Sequence, residues 1–226
     1  MALQMLDLMP TADQLMGKPL PIAAVSSFFR TMPIRKRAEA ARQIQFLVDT
    51  PQRFLEMRNL AHDKKLHLRV NLEIDVGLHR GGMEPGAEID NVLQAIANTP
   101  NIELSGLMGY EPHLSKIPKL KGWRGRARKG ATDAFRAARA QVAAHFSPAE
   151  IAKMTFNMAG SPTFGLYSTT SHANEISAGS ALVKPSDFDL PILKAFQEAA
   201  FIATPALKVS QGIRPPAGEY AEAIPE

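Results

Sequence analysis

Cysteine is absent from this chain of 226 residues, so neither a disulfide framework nor a thiolate metal site is available to it. Long apolar runs are absent too, since stretches such as "LPIAAV" and "EAAFIATPAL" fall far below the roughly 18 to 20 residues that cross a bilayer. The first residues lack the basic, apolar and small-residue pattern of a signal peptide. We therefore expect a cytoplasmic protein with no membrane partner.

Hydrophobic residues make up 45% of the chain, which is enough to bury the core of one large domain. We place that domain at residues 1–209. The last stretch, 210–226, has three prolines and two glycines without periodicity, and we interpret it as a loose tail or a linker.

Helical and strand patterns alternate along the chain. Helices are predicted at 51–65, 84–100, 130–146 and 189–201, and a capping box at Ser147–Glu150 starts a short one. Strands are predicted at 13–19, 44–50, 68–77, 102–110, 154–161 and 174–183. This alternation predicts an α/β fold with a parallel sheet, because parallel neighbours need a crossover helix. The carboxyl ends of the strands are then the expected functional edge.

The stretch "LRVNLEIDVGLHRGG" alternates apolar and polar residues strictly. In a barrel covered by helices, one set would face the helices and the other the interior. We therefore assign Leu68, Val70, Leu72 and Ile74 to the outside, and Asn71, Glu73 and Asp75 to the inside. An antiparallel or edge strand with its polar face in water is the alternative.

Two Ala-Gly-Ser triplets, Ala159–Ser161 and Ala178–Ser180, end consecutive predicted strands. Glycine lets backbone N–H groups approach a ligand and serine adds a hydroxyl donor, so the pair would form an anion cradle. Gly-Ser turns without a ligand are also common, and each triplet alone is a weak signal.

Three further side chains follow strand ends. Arg80 lies beside two glycines and would bind an anionic oxygen, although a solvated turn explains it equally. Tyr110 and His113 suit stacking on a ring, a hydrogen bond to a heterocycle or proton transfer, and a structural pair is the alternative. The spacing of the other histidines, His62, His67, His145 and His172, predicts no metal site.

A basic run without acidic residues contains the single tryptophan, Trp123. Its cations are Lys116, Lys119, Lys121, Arg124, Arg126, Arg128 and Lys129. Such a run is typical of a polyanion contact. Because no nucleic-acid-binding motif accompanies it, we favour a solvated loop over the sheet edge and expect no nucleic acid partner.

Together the motifs "NLEIDVGLHRGG", "LSGLMGYEPH", "NMAGSPTF" and "NEISAGSAL", in this order, resemble the fold-type III pyridoxal-phosphate enzymes. The resemblance is to the D-threonine aldolase and D-serine dehydratase-like group, related to the N-terminal domain of alanine racemase, and it covers roughly Asp13 to Val209. It implies a partial TIM-like (β/α) barrel with about six of eight strands. The family's C-terminal β-domain has no counterpart.

The resemblance also implies which residues hold the cofactor, pyridoxal 5'-phosphate. Arg80 matches the arginine near the cofactor ring, and Tyr110 the tyrosine beside it. The phosphate-holding positions are Gly160, Ser161, Thr163, Gly179 and Ser180. His113 is the candidate substrate-binding residue.

The family's Schiff-base lysine lies on the first barrel strand, and Lys18 does not match it, so no catalytic residue is assigned. We expect a chain truncated at both ends and inactive by itself, with no metal ligands of its own although the complete enzyme could use a divalent metal. The implied activity is a lyase acting on D-3-hydroxy amino acids, in a protein that could be a homodimer. The alternatives are an amino acid racemase, a non-catalytic cofactor-binding protein, a barrel with another phosphorylated ligand and a polyanion-binding module.

Overall fold

Six parallel strands lie side by side in chain order and form a partial TIM-like barrel, as predicted. The computed structural model describes residues 2–118, 120–167, 172–205 and 208–209. The strands are β1 (Gln14–Leu15), β2 (Ile44–Val48), β3 (Leu68–Ile74), β4 (Ile102–Gly109), β5 (Thr155–Met158) and β6 (Glu175–Ile176). Because all six run the same way, their carboxyl ends share one edge of the sheet.

Eight α-helices connect or flank the strands within the described residues. They are α1 (Ala2–Leu8), α2 (Ile22–Thr31), α3 (Ile34–Gln43), α4 (Pro51–Lys64), α5 (Ala87–Ala97), α6 (His113–Lys116), α7 (Trp123–His145) and α8 (Pro148–Ile151). Short 3-10 helices follow at Phe164–Tyr167, Gly179–Leu182, Ser186–Phe188 and Pro191–Leu193. The Thr50 hydroxyl caps α4 and the predicted Ser147–Glu150 capping box starts α8.

The outer face of the sheet packs against the helices. The four apolar residues of β3 that we assigned to the outside are at most 1% exposed and belong to one apolar cluster. That cluster also contains the predicted apolar face of α5 and Phe135 from α7. The outward assignment is therefore confirmed, and the core lies between sheet and helices.

The inner face of the sheet is polar. The Gln45 amide donates hydrogen bonds to Asp13 (2.8 Å) and to Thr155 of β5 (3.2 Å). The Asn71 amide donates to Gln45 (3.0 Å), and Arg69 pairs with Asp13. Since β3 is a central strand with parallel partners on both sides, the antiparallel or edge alternative is wrong.

Strand β4 contains a β-bulge. Val70 pairs with Leu104 and Asn71 with Gly106, so Ser105 is an extra residue without a partner on β3. Leu104 and Leu107 consequently both lie in the apolar cluster, although they are three residues apart. A Cβ placed on Gly106 would lie 1.8 Å from the Thr155 carbonyl oxygen, so only glycine fits between β4 and β5.

The helix predictions need correction in two ways. The helix predicted at 189–201 is wrong, because only Pro191–Leu193 forms a 3-10 turn there and Phe201 is 79% exposed. Conversely, α2 and α3 were not predicted. Each follows a proline at its N-cap, Pro21 or Pro33, and prolines at helix starts are easily taken for breaks between elements.

The predicted basic loop is partly helical, because α7 begins at Trp123. Lys119 and the predicted tail 210–226 lie outside the described residues. Among the helices of the described ranges, none combines the length and the apolarity that a membrane span requires.

Candidate functional site

The side chains predicted to act together follow the carboxyl ends of neighbouring strands. Arg80 comes from the loop after β3, Tyr110 follows β4 and Gly160 follows β5. The Arg80 guanidinium carbon lies 5.0 Å from the centre of the Tyr110 ring. A Cβ on Gly160 would stand 2.4 Å from Cε2 of Tyr110, so the ring lies directly on the glycine backbone. The structure thus brings these three predicted residues into one stack.

Asp75 shapes the loop that carries Arg80. Its carboxylate accepts hydrogen bonds from the backbone N–H groups of Gly77 (2.9 Å) and His79 (3.1 Å), and it lies 2.8 Å from His79 Nδ1. Burial acts to raise the pKa of Asp75, but the hydrogen bonds from His79 and Gly77 outweigh it and lower the pKa. Asp75 is therefore an ionised carboxylate that fixes the start of the loop.

The end of the same loop returns to the sheet. Met83 donates to the Glu73 carbonyl (2.9 Å), and Asp75 N–H donates to the Met83 carbonyl (3.0 Å). Gly82 has φ 92°, and a Cβ there would lie 2.8 Å from the Asp75 nitrogen. This closed loop holds Arg80 over the strand ends.

Glu73 is the inward-facing carboxylate of β3. Burial raises its pKa most, and the nearby carboxylate of Asp49 raises it further, while Arg80 opposes both. The arginine therefore stands between an aromatic ring and a partly buried acid.

A buried network supports the other side of the Tyr110 ring. Glu111 is fully buried and accepts hydrogen bonds from the Thr163 hydroxyl (2.8 Å) and the Ala159 N–H (3.3 Å). Burial raises the pKa of Glu111, and these two hydrogen bonds oppose the rise. Burial and the Glu111 charge also raise the pKa of the nearby Tyr167 phenol. The network holds Ala159 in the left-handed conformation, with φ 70°.

The two predicted serine triplets also meet. The Ser161 hydroxyl accepts a hydrogen bond from the Ala181 N–H (2.8 Å), which joins the end of β5 to the turn after β6. In that turn Gly179 and Ser180 are exposed, and no heavy atom comes within 4 Å of a Cβ placed on Gly179. The hydroxyls of Ser161 and Thr163 are thus bound to the protein, whereas Gly179 and Ser180 border open space.

His113 lies apart from this stack. It lines a cavity of about 480 Å³ between the loop after β3 and helix α7. Its Nε2 would be 3.6 Å from a Cβ on Gly77, and burial lowers its pKa. None of Arg80, Tyr110 and Gly160 lines that cavity.

The same cavity contains a group that the sequence interpretation missed. Oxygen or nitrogen atoms of Asp75, His79 and Glu84 lie within 4.8 Å of one another. The sequence prediction did not include these three side chains, because it considered only the spacing among other histidines. The pattern Asp-x3-His-x4-Glu after an acidic strand end was the available signal.

Sequence and structure comparisons place the chain among known folds. The pattern of the alanine racemase N-terminal domain matches residues 19–187. A D-threonine aldolase from Filomicrobium marinum superposes with a TM-score of 0.65 at 18% identity, over 88% of this chain and 52% of that one. No curated protein sequence matches the chain.

Two other structures share the fold. An alanine racemase from Corynebacterium glutamicum has a TM-score of 0.53 and 22% identity over 79% of this chain and 44% of its own. A D-threo-3-hydroxyaspartate dehydratase from Delftia sp. HT23 has a TM-score of 0.55 and 21% identity, covering 78% and 44%. The chain spans about half the length of these proteins. With three quarters of its residues matched by one domain pattern, this chain belongs to the alanine racemase N-terminal domain family.

Proposed function

We propose that the chain binds pyridoxal phosphate and is part of an enzyme that cleaves D-3-hydroxy amino acids. The observation that carries this proposal is the stack of Arg80, Tyr110 and Gly160 beside the open turn at Gly179, all at the carboxyl edge of one parallel sheet. In folds of this kind the carboxyl edge is where ligands bind. The structural neighbours that cleave or dehydrate 3-hydroxy amino acids support the substrate class.

The residues present fit a phosphorylated aromatic ring. The open turn offers backbone N–H groups at Gly179 and Ser180 and a serine hydroxyl, which suits a phosphate. Tyr110 supplies an aromatic surface, and Arg80 supplies a positive charge for an anionic ring oxygen. When bound, pyridoxal phosphate would supply an electron sink for bond cleavage next to the amino group.

Thr163 would act differently from the expectation that it binds phosphate directly, because its hydroxyl donates to Glu111 and so holds the end of β5 in place. The Ser161 hydroxyl accepts the Ala181 N–H and keeps its own proton, which it would donate to a phosphate oxygen as expected. Lys18 follows β1, and two strands, β2 and β3, separate β1 from the β4 end that carries Tyr110. We therefore expect the chain by itself to bind the cofactor without turnover.

Cofactor binding is tested by comparing pyridoxal phosphate with pyridoxal in thermal melts. A ligand at 100 times its Kd stabilises the fold by about 2.7 kcal/mol, so the phosphorylated form should raise Tm clearly and pyridoxal much less. Gly179→Val should abolish the shift without unfolding the chain, because the new side chain meets open space. Gly17→Val, which also meets no neighbour, should keep it. Equal shifts with both compounds would contradict a phosphate site.

The reaction class is tested on the protein with D-threonine, D-serine, D-3-hydroxyaspartate and alanine. We expect no turnover; release of an aldehyde or ammonia would contradict that expectation and identify a lyase, and inversion of alanine alone would contradict it in favour of a racemase. A visible absorption band that forms with cofactor and is lost in Lys18→Ala would overturn the expectation that Lys18 is not the covalent residue.

A polyanion-binding function is the second candidate, favoured by the exposed basic start of α7. No acidic residue occurs from 115 to 132, Trp123 is 48% exposed, and α7 has neither a side-chain cap nor an acid in its first turn. Cations at a helix N-terminus oppose the helix dipole, so a bound anion would stabilise this turn. Salt-dependent retention on heparin would support this function if the double variant Lys121→Gln, Arg126→Gln loses it. The control, the double variant Lys64→Gln, Lys65→Gln, should keep it.

A further inference from the structure

A cluster of three side chains of metal-binding type lies on the loop after β3. Asp75, His79 and Glu84 each present one ligand atom, and these atoms lie within 4.8 Å of one another. The set combines two carboxylates with an imidazole, so it differs from an ordinary acidic surface patch. Mixed imidazole and carboxylate ligands suit zinc.

The Asp75 carboxylate is held in a fixed orientation, as a metal ligand must be. Its side chain is only 9% exposed, and its Oδ1 accepts the N–H groups of Gly77 and His79. Its Oδ2 faces His79 Nδ1 at 2.8 Å. Oδ1 therefore has the supporting hydrogen bonds that metal-binding carboxylates typically have, whereas a zinc ion would replace the bond between Oδ2 and His79 Nδ1.

His79 is held in an unfavourable backbone conformation. Its φ is 53°, in the left-handed region that residues other than glycine rarely adopt. This conformation aims the ring at Asp75, although 74% of the His79 side chain is exposed. Backbone strain of this kind is typical of functional loops.

The cavity beside the cluster contains a second imidazole. His113 lines the same cavity of about 480 Å³ as the three clustered residues. Within the described part of the chain, its Nδ1 is buried and has no hydrogen-bond partner. His113 is thus a second imidazole in the wall of a cavity that has room for an ion.

We propose that Asp75, His79 and Glu84 bind a zinc ion in the cavity that His113 also lines. Zinc binds such atoms at about 2.0 to 2.2 Å, so the exposed His79 and Glu84 side chains close on the ion by small rotations. The bound ion fastens the loop at both ends, because Asp75 begins it and Glu84 follows its return at Met83. Arg80, directly after His79, is thereby held above Tyr110. Zinc binding is independent of the proposed function, since it needs neither cofactor nor substrate.

The test is a zinc titration of the chelator-treated protein by calorimetry, without cofactor. We expect one zinc ion per chain, and affinity at least about tenfold weaker in His79→Ala and in Glu84→Gln. Both side chains are exposed, so these variants should fold. His62→Ala is the matched control, because His62 is an exposed histidine beside a carboxylate, Asp63, outside the cluster. It should bind zinc as the unmodified chain does.

Hydrogen exchange gives a second measurement. Zinc should slow exchange of the amides at 77–83 in the unmodified chain and leave them unchanged in His79→Ala. Absence of stoichiometric binding, or equal affinity in the His79→Ala and His62→Ala variants, would overturn the proposal. If zinc binds while pyridoxal phosphate does not, the zinc site stands and the proposed function fails.

Discussion

Tyr110 rests on the backbone of Gly160, and this contact ties the ends of β4 and β5 together. The position is occupied by glycine because a side chain would overlap the ring. Arg80 covers the other part of the same ring, so one aromatic side chain links three strand ends.

Gly160→Ala should lower the free energy of unfolding by about 1 to 3 kcal/mol, as overpacking does in a well-packed site. The cause is the 2.4 Å approach between the new Cβ and the Tyr110 ring. Urea unfolding of the unmodified chain, the two single variants and the double variant measures this cost. Gly160→Ala should lower the free energy of unfolding far less in the Tyr110→Ala background. Equal costs in both backgrounds would show that the ring is not the obstacle.

Glu111→Gln should change how stability depends on pH. The pKa of Glu111 is raised on folding, so the unfolded chain releases this proton first as the pH rises. The Glu111 contribution to stability is therefore present below the ordinary value of 4.5 and is lost as the pH rises through the raised native pKa. Urea unfolding from pH 4 to 8 should show a smaller decline in the variant. Parallel profiles for both proteins would contradict the raised pKa.

The residues that gather at the site could be predicted from the sequence, because the carboxyl ends of parallel strands lie at one edge of the sheet. The hydrogen-bond partners of Ser161 and Thr163 could not be predicted. The Thr163 hydroxyl donates to Glu111, which lies 52 residues away in the sequence, and no local pattern specifies such a partner. Asp75, His79 and Glu84 differ from these hydroxyls, since their local pattern after the end of β3 was available in the sequence.

Among the helices, local signals predicted correctly those that have an apolar face packed on the core, with or without a side-chain cap. Both α4 and α5 have such faces, and α4 also has the Thr50 cap. The segment 189–201 has apolar residues at helical spacing, but its far end finds no surface to cover and stays exposed. Helical periodicity stabilises a helix only when tertiary packing uses it.

Helix α7 contains glycines that its packing does not require. A Cβ placed on Gly130 meets no atom within 4 Å. Gly130→Ala should therefore raise the free energy of unfolding by about 0.5 to 1 kcal/mol, through the higher helix propensity of alanine. Thermal and urea unfolding measure the change. A destabilised variant would show that this part of α7 is not helical in solution.

Across the whole molecule, polar contacts inside the barrel connect strands that are distant in sequence. Gln45 of β2 reaches Asp13, next to β1, Asn71 on β3 and Thr155 on β5. The alternating pattern of β3 predicted a polar interior, while the particular partners depend on the curvature of the partial barrel.

Gln45→Ala should cost about 2 kcal/mol of unfolding free energy, because it leaves the buried Asn71 amide and the Thr155 hydroxyl without their partner. Gln52→Ala is the control, since Gln52 is exposed and its amide donates to Glu56, one turn further along α4. Its effect should stay within about 0.5 kcal/mol in the same urea measurement. Similar losses for both variants would argue against the interior network.

The bulge at Ser105 determines which side chains at the end of β4 face the helices and which face the barrel interior. With it, Leu107 faces the helices, Tyr110 reaches Gly160 inside, and Glu111 joins the buried network. Loss of a single codon there would shift the alternation by one, sending the tyrosine outward and the acid inward. The site thus depends on the length of β4 as well as on its composition, and a deletion at Ser105 would dismantle the site without altering any residue in it.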